Sequence, residues 1–278
     1  ISMLFIIASI ILLLLYGLNF SNEFKGGTTI KFTSKASQKE IKDAIKKDYN
    51  QNFIVNSTNN LYFLSIDKNI EEKDLVTIKK ILLSKQIEAE ITEVSVVSPT
   101  VGRDLISKTI IAVVISVIVI FIFIAYAFKN SISAISAIIA MLHDTFILLG
   151  FYALFGNFFN AEVDLLIVTA VLTVLSFSLY DTIVIFDRVR EKIKKQNVSD
   201  YIYVLDNSIK ETMVRSINNS LTSILALFSL SLFVSGPIYW FSVALLIGVI
   251  FGTYSSPFVA VTLFYDIDKL VKKLKNRK

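Results

Sequence analysis

The sequence has no cysteine and a single histidine, His143. The first absence excludes disulfide frameworks and thiolate metal sites. The second leaves no metal-spaced set of histidines, and no metal or cofactor is expected. There is also no phosphate-cradling glycine loop and no nucleophile elbow, so nothing points to ATP hydrolysis or to any enzyme. Charge is scarce as well. Only 18% of the 278 residues are charged, and they crowd into residues 20–108, 187–211 and 266–278. A chain in which 54% of residues are hydrophobic has more apolar surface than a soluble protein of this size can use, whereas a multi-helix membrane bundle needs it. The net charge of +5 then reflects loop lysines and arginines on one side of a membrane and not a nucleic-acid surface.

A helix needs about 20 apolar residues to cross a hydrocarbon core of about 30 Å. Six stretches meet that need: about 2–19, 108–128, 131–155, 164–186, 214–234 and 237–265. The first is read as an uncleaved helix and not as a signal peptide, because no small-residue cleavage site follows it. Pro257 inside the last predicts a kink or a tilted exit. Lys129, the run Arg188, Arg190, Lys192, Lys194 and Lys195, and the tail Lys269 to Lys278 all fall on one side of a six-span chain. By the positive-inside rule that side is the cytoplasm. The expected organisation is a first transmembrane helix (1–19), an external domain (20–107), helices 2–6 (108–265) and a basic cytoplasmic tail (266–278).

The external segment reads as a small α+β domain. Thr28–Phe32 alternates as a strand, and Ser37 with Glu40 makes a capping box before Ile41, Ala44, Ile45 and Tyr49 recur at helical spacing. Asn52–Val55 and Leu61–Ile66 form a strand pair around the turn-rich Asn56–Asn60. Asn69 with Glu72 is expected to cap a second helix with Leu75, Ile78 and Leu82 on one face, and Ala89–Val97 alternates again. The order βαββαβ is the split, ferredoxin-like arrangement. With balanced charge and no Cys, His or Trp, this domain suits a binding or mechanical role. Gly26-Gly27 supplies the turn into its first strand.

Ionisable residues inside apolar helices are the informative exceptions, since each costs about 2.5–3.5 kcal/mol at a helix centre on insertion scales. His143-Asp144 sits mid-way along the third span, Asp181 and Asp187 on the fourth, and Arg215 near the start of the fifth. Asp181 and Arg215 fall at similar depth on antiparallel neighbours. They are either a structural ion pair or a titratable carboxylate whose pairing with Arg215 changes with proton occupancy. His143-Asp144 is either an interhelical hydrogen-bond pair or part of the same relay. Asp187, beside Arg188 and Arg190, reads as interfacial and solvated, as do Glu162 and Asp164, which are alternatively a point of proton access. Arg215, Asn218, Asn219, Thr222 and Ser229 form one polar stripe at helical spacing, expected to face the bundle interior. Gly248 and Gly252, followed by Ser255-Ser256, allow close helix packing.

These segments resemble one family: SecF, a membrane subunit of the bacterial Sec export machinery, within the RND superfamily of proton-driven transporters. Glu23-Phe24-Lys25-Gly26-Gly27-Thr28 is similar to the family's D-F-x-G-G-T, and Met141-Leu142-His143-Asp144 to its A-x-x-H-D. Ser178 to Glu191 resembles Y-S-[LI]-N-D-T-[IV]-V-V-x-D-R-[IV]-R-E. Arg215 to Thr222 resembles R-T-[LI]-x-T-S-x-T, and Gly248 to Ser256 resembles I-G-x-x-x-G-T-x-S-S. Departures are Glu23 for Asp, Phe177 for Tyr, Tyr180 for Asn and Asn219 for Thr. The resemblance implies a six-helix half of an RND-type bundle that pairs with SecD. The pair uses the proton-motive force to assist unfolded preproteins leaving the SecYEG channel across the cytoplasmic membrane, in contact with membrane lipid. It also implies proton-pathway roles for Asp181 and Arg215. Two other readings remain: a half-size exporter of lipids or small molecules, and an assembly subunit without ion coupling.

Overall fold

The computed structural model describes residues 1–48, 53–58, 60–128, 130–195 and 201–275. Tyr49, Asn52, Asn59, Lys129 and residues 276–278 of the tail lie outside them. Among the described residues, five helical spans are long and apolar enough to cross a membrane, and the chain is a multi-pass membrane protein. They are α5 (Pro99–Phe128), α6 (Ser131–Phe159), α7 (Leu165–Lys195), α8 (Tyr201–Phe233) and the pair α9 (Pro237–Ser255) with α10 (Val261–Lys275). The expected first span is helical only over α1 (Ser2–Tyr16), 15 residues, and Gly17 at φ 66 ends it. Six spans were expected; among the described residues five helices have that length, with one shorter apolar helix, α1, beside them.

Apolar runs mark only the stretch that suits hydrocarbon, while a helix continues wherever its backbone bonds can form. Accordingly α5 starts nine residues before the predicted 108 and α8 thirteen before 214, both through polar sequence. Pro257 falls in a π-helical turn, Ser256–Ala260, that joins α9 to α10. The wider turn accommodates a residue without an N–H, in place of a simple kink.

Close approaches fix the bundle. A Cβ on Gly150 of α6 would lie 2.4 Å from Ser9 Cβ of α1, and one on Gly248 of α9 would lie 2.0 Å from Val174 Cγ2 of α7. The seam between α7 and α9 is therefore closed by the chain's own helices. On α5, Ile111, Val114, Ile115, Ile118, Val119 and Ile122 are all exposed, a surface suited to lipid.

Between α1 and α5 lie α2 (Asn22–Lys25), β1 (Gly27–Ser34), α3 (Gln38–Asp48), β2 (Phe53–Thr58), β3 (Leu61–Ile66), α4 (Glu72–Ser84) and β4 (Ala89–Val97). The sheet order is β2-β3-β1-β4 with every pair antiparallel, the ferredoxin-like arrangement. Alternation places Ile30, Phe32, Leu64 and Ile66 against Ile41, Ile45, Ile78 and Leu82 of the two helices. Ser37 and Glu40 form the expected capping box. The second helix is capped differently: Glu71 is its N-cap and exchanges bonds with Asp74. The helix starts at Glu72, which leaves Asn69 too far upstream to cap it.

Gly26 and Gly27, at φ 81 and φ 141, turn the chain from α2 into β1. The Asn22 side chain donates to Thr28 O at 2.9 Å and Ile66 O at 3.2 Å, fastening this turn to β1 and β3. The helix-free sheet face meets the loop between α6 and α7. There Ser21 N–H donates to Val163 O (2.9 Å), Leu165 N–H donates to Glu23 Oε2 (3.0 Å), and Asn56 Nδ2 donates to Asn160 O (3.3 Å).

Candidate functional site

The polar interior of the bundle is organised by one carboxylate. Asp144 on α6 is fully buried. Its Oδ1 lies 2.9 Å from His143 Nδ1. Ser178 Oγ of α7 and Ser255 Oγ of α9 each donate to its Oδ2 at 2.6 Å. A single side chain thus ties three helices together. One turn on, Ser256 Oγ donates to Ser178 O at 3.1 Å and lies 2.9 Å from Thr182 Oγ1. Ser255 and Ser256, read from sequence as packing residues, are also hydrogen-bonding ones. Ser178 and Thr182 received no role from the sequence, although with Asp181 they fall at i, i+3 and i+4 on one helix face. His143 Nε2 is buried with no hydrogen-bond partner among the described residues.

Interhelical hydrogen bonds in membranes average about 0.6 kcal/mol and reach about 1.7. Ser178→Ala and Ser255→Ala are each expected to lower stability within that range, read as a lower denaturation midpoint in detergent. The double variant should fall below their sum, because Asp144 Oδ2 then keeps neither donor.

Asp181 of α7 is buried, and its Oδ1 has no partner among the described residues. The buried Ser216 Oγ of α8 is likewise without one among the described residues. The structure does not bring Asp181 and Arg215 into a salt bridge. Arg215 is exposed, and its Nη2 donates to Tyr180 OH at 3.0 Å. Tyr180, the departure next to Asp181, supplies the hydroxyl that holds the guanidinium aside.

The polar stripe on α8 also differs from expectation. Arg215, Asn218, Asn219, Thr222 and Ser229 are exposed, not turned inward. The packed face is instead Ser208, Thr212, Ser216 and Ser220, spaced four apart. Small hydroxyl residues let α8 approach its neighbours, which leaves the bulkier polar groups on the outside. With Thr173, Ser176 and Tyr180 of α7, Asn219 lines a shallow surface hollow, so the exposed polar strip spans both helices.

Gly248 and Gly252 lie along the seam with α7, the latter with Ser178 Cα 3.4 Å from where its Cβ would be. Asp187 is exposed. Near it Arg188 Nε donates to Glu211 Oε2 at 2.6 Å and Lys192 Nζ to Glu211 Oε1 at 2.8 Å, linking α7 to α8. Glu162 and Asp164 are not solvated loop residues, for Asp164 is buried and Glu162 partly so. Burial pushes Glu162 up to about 7, against the Ser65 hydroxyl and Lys25. Asp164 rises to about 6, again by burial, although Ile167 N–H donates to it at 2.9 Å. No group of three His, Asp or Glu residues among those described has metal-holding geometry.

Comparison with known proteins places this arrangement. The family model described as protein export membrane protein SecD/SecF, C-terminal, matches residues 77–270. The protein translocase subunit SecF of Thermobaculum terrenum is 36% identical, covering 94% of this chain and 88% of that protein. The SecF of Endomicrobium trichonymphae is 30% identical, covering 90% and 81%. The protein translocase subunit SecDF of Bacillus subtilis is 31% identical over 93% of this chain, which spans 35% of that longer protein. The crystal structure of SecDF from Thermus thermophilus, described as a translocon-associated membrane protein, superposes with a TM-score of 0.84 at 23% identity. It covers 96% of this chain, which spans 37% of that one. That likeness shows the fold.

Proposed function

The chain belongs to the SecF family of protein translocase subunits, and from that membership we propose that it is one half of a proton-driven export complex. Its partner is SecD, and the pair assists unfolded preproteins leaving the SecYEG channel at the cytoplasmic membrane. On this reading both termini are cytoplasmic and the α+β unit is external, as the loop lysines and arginines suggest.

The observation that carries the reading is the exposed polar strip on α7 and α8. Arg215, Asn218, Asn219 and Thr222 lie within a membrane-spanning helix and are open in this chain. A charged side chain facing lipid costs up to about 2.5–3.5 kcal/mol at the centre of a span and less toward its end, where Arg215 lies, and the polar groups beyond it add to that cost. A second bundle removes that cost by covering the strip, as the SecDF relatives that carry two to three times this length suggest. Asp181 sits just behind the strip, which supports it as the group that takes up and releases a proton across the joint. Asp144 and His143 are fixed in the helix framework and support it from behind.

The test is to isolate this chain with and without a co-expressed SecD and to reconstitute both with SecYEG. Only the pair should show preprotein translocation that a protonophore reduces. Proton-sensitive translocation by this chain alone would overturn the need for a partner. A pair insensitive to the protonophore would overturn the coupling.

A further inference from the structure

At the end of the bundle that carries the loop lysines and arginines, a cavity opens between α5, α6, α7 and α10. Its floor is aromatic. Phe128, Phe186 and Phe264 stand on three different helices at the ends of their apolar runs, and all three are buried. The Phe186 ring centroid lies 6.2 Å from that of Phe128 and 5.2 Å from that of Phe264. Its rim is cationic. Arg190 and Lys194 of α7 are four residues apart, hence on one helix face, and both line the cavity. One N–H of Arg190 donates to Ala127 O at 3.1 Å. Neither side chain makes a salt bridge among the described residues. Asp187, one turn back on α7, is exposed and pairs with neither, and no acidic side chain lines the space.

Between floor and rim lies the start of α6, with Asn130 as its N-cap. Ser133, in its first turn, lines the same cavity and is only 5% exposed. A serine inside a helix commonly bonds back to a carbonyl four residues earlier, as Ser136 does to Ile132 O at 2.8 Å. The Ser133 hydroxyl makes no hydrogen bond among the described residues, and its oxygen is not closed off from the cavity. A buried hydroxyl without a partner, two unpaired cations and the positive end of a long helix thus surround one space. The group they lack is an anion.

We propose that this cavity holds the headgroup phosphate of an anionic phospholipid, paired with Arg190 and Lys194 and accepting from Ser133, with the adjoining chain resting on the phenylalanine floor. The apolar floor favours a lipid over a free phosphate ion. So does α5, which supplies Phe128 and exposes an aliphatic face along its length. The depth agrees, because the cations stand just beyond the ends of the apolar runs, where a bilayer keeps its phosphates. A zwitterionic lipid would bring its own ammonium and leave one of the two cations without a counter-charge, so the preference is for a net negative headgroup. The site requires only that the chain span a membrane and is independent of the export reading.

Brominated phospholipids quench tryptophan on contact, and Trp240, the only tryptophan, is silenced by Trp240→Phe. In that background Ile193→Trp reports from the cavity wall and Val114→Trp from the exposed face of α5. The full chain is reconstituted in mixtures of phosphatidylglycerol and phosphatidylcholine with one or the other brominated. Ile193→Trp should show a preference for phosphatidylglycerol of about fivefold or more, what a single cation contributes at an anionic surface. Val114→Trp should show almost none. Arg190→Gln combined with Lys194→Gln should bring the cavity to the level of Val114→Trp with unchanged far-UV circular dichroism. Ser133→Ala, which removes only a hydroxyl, should lower the preference about twofold or more. Equal preferences at the two reporters, or a preference kept in the double variant or in Ser133→Ala, would overturn the assignment. So would its abolition by inorganic phosphate but not by chloride at equal ionic strength, which would point to a free anion. The complex co-purified with SecD should keep the preference, and its loss there would show that a protein covers this face and would overturn the lipid.

Discussion

Asp181→Asn is expected to leave the protein in the membrane at normal abundance, bound to its partner, and to remove the whole proton-dependent component of export. Translocation by the variant complex should then be the same with and without a protonophore. The geometry separates this outcome from a structural one. If Asp181 and Arg215 were a buried ion pair, removing the carboxylate would strand a buried cation at a cost of about 3–5 kcal/mol. Here Arg215 is exposed and donates to Tyr180 OH, and Asp181 Oδ1 has no partner to lose among the described residues. Asparagine keeps the size and one acceptor oxygen, so its cost in stability should stay below about 1 kcal/mol. Arg215→Lys should impair export as well, because a point ammonium cannot hold the Tyr180 hydroxyl and reach toward a carboxylate with the same planar fork. Membrane abundance, partner binding and export need to be measured side by side. Stimulated export by Asp181→Asn at the normal level would falsify the relay, and a loss of abundance would favour a structural role.

Gly248→Leu should be the most damaging single change in the helix packing, and Gly248→Ala should already be harmful. A Cβ at Gly248 lies 2.0 Å from Val174 Cγ2 and 2.7 Å from its Cγ1. Valine is stiff at χ1, so both methyls cannot turn away and α9 must back off from α7. Overpacking of this kind costs about 1–3 kcal/mol for an alanine, and more for a leucine. Separation of the two helices would also break the Ser255–Asp144 bond. Gly252→Ala is expected to be far milder, since its Cβ would meet Ser178 Cα and Cβ at 3.4 Å, an ordinary contact. Val174→Ala should rescue Gly248→Ala in part, since it removes the two obstructing methyls but leaves its own Cβ 2.9 Å away. Thermal melts in detergent test the series, and equal losses at the two glycines, or no rescue, would show that the seam is not what limits stability.

Sequence patterns revealed most of the fold because they report on local rules. Alternation located the strands, and runs without charge located the spans. The helix ends were misplaced where a helix leaves the hydrocarbon, as at Pro99 and Tyr201, since nothing in hydrophobicity marks that continuation. The polar stripe of α8 shows a different limit. Spacing establishes that Arg215, Asn218, Asn219 and Thr222 share a face, but not which side of the helix packs. The serine and threonine row beside it, roughly 100° round the helix, competes for the interior and wins by being smaller. Asp144 was legible as an anomaly, whereas its donors Ser178 and Ser255 lie 34 and 111 residues away and no spacing rule joins them.

The π-helical turn at Ser256–Ala260 acts as a change of phase in the final span. A π turn is one residue longer than an α turn, and each residue of α-helix is worth roughly 100° of rotation. Everything after Ala260 is therefore dialled round relative to α9 by about that angle. The shift lets Gly252, Ser255 and Ser256 point inward on one side of it and Val261 and Phe264 on the other, where the Phe264 ring centroid lies 5.2 Å from that of Phe186. Deleting one residue here would produce a more regular helix and a worse protein, because Phe264 would swing off Phe186 while every backbone bond was kept.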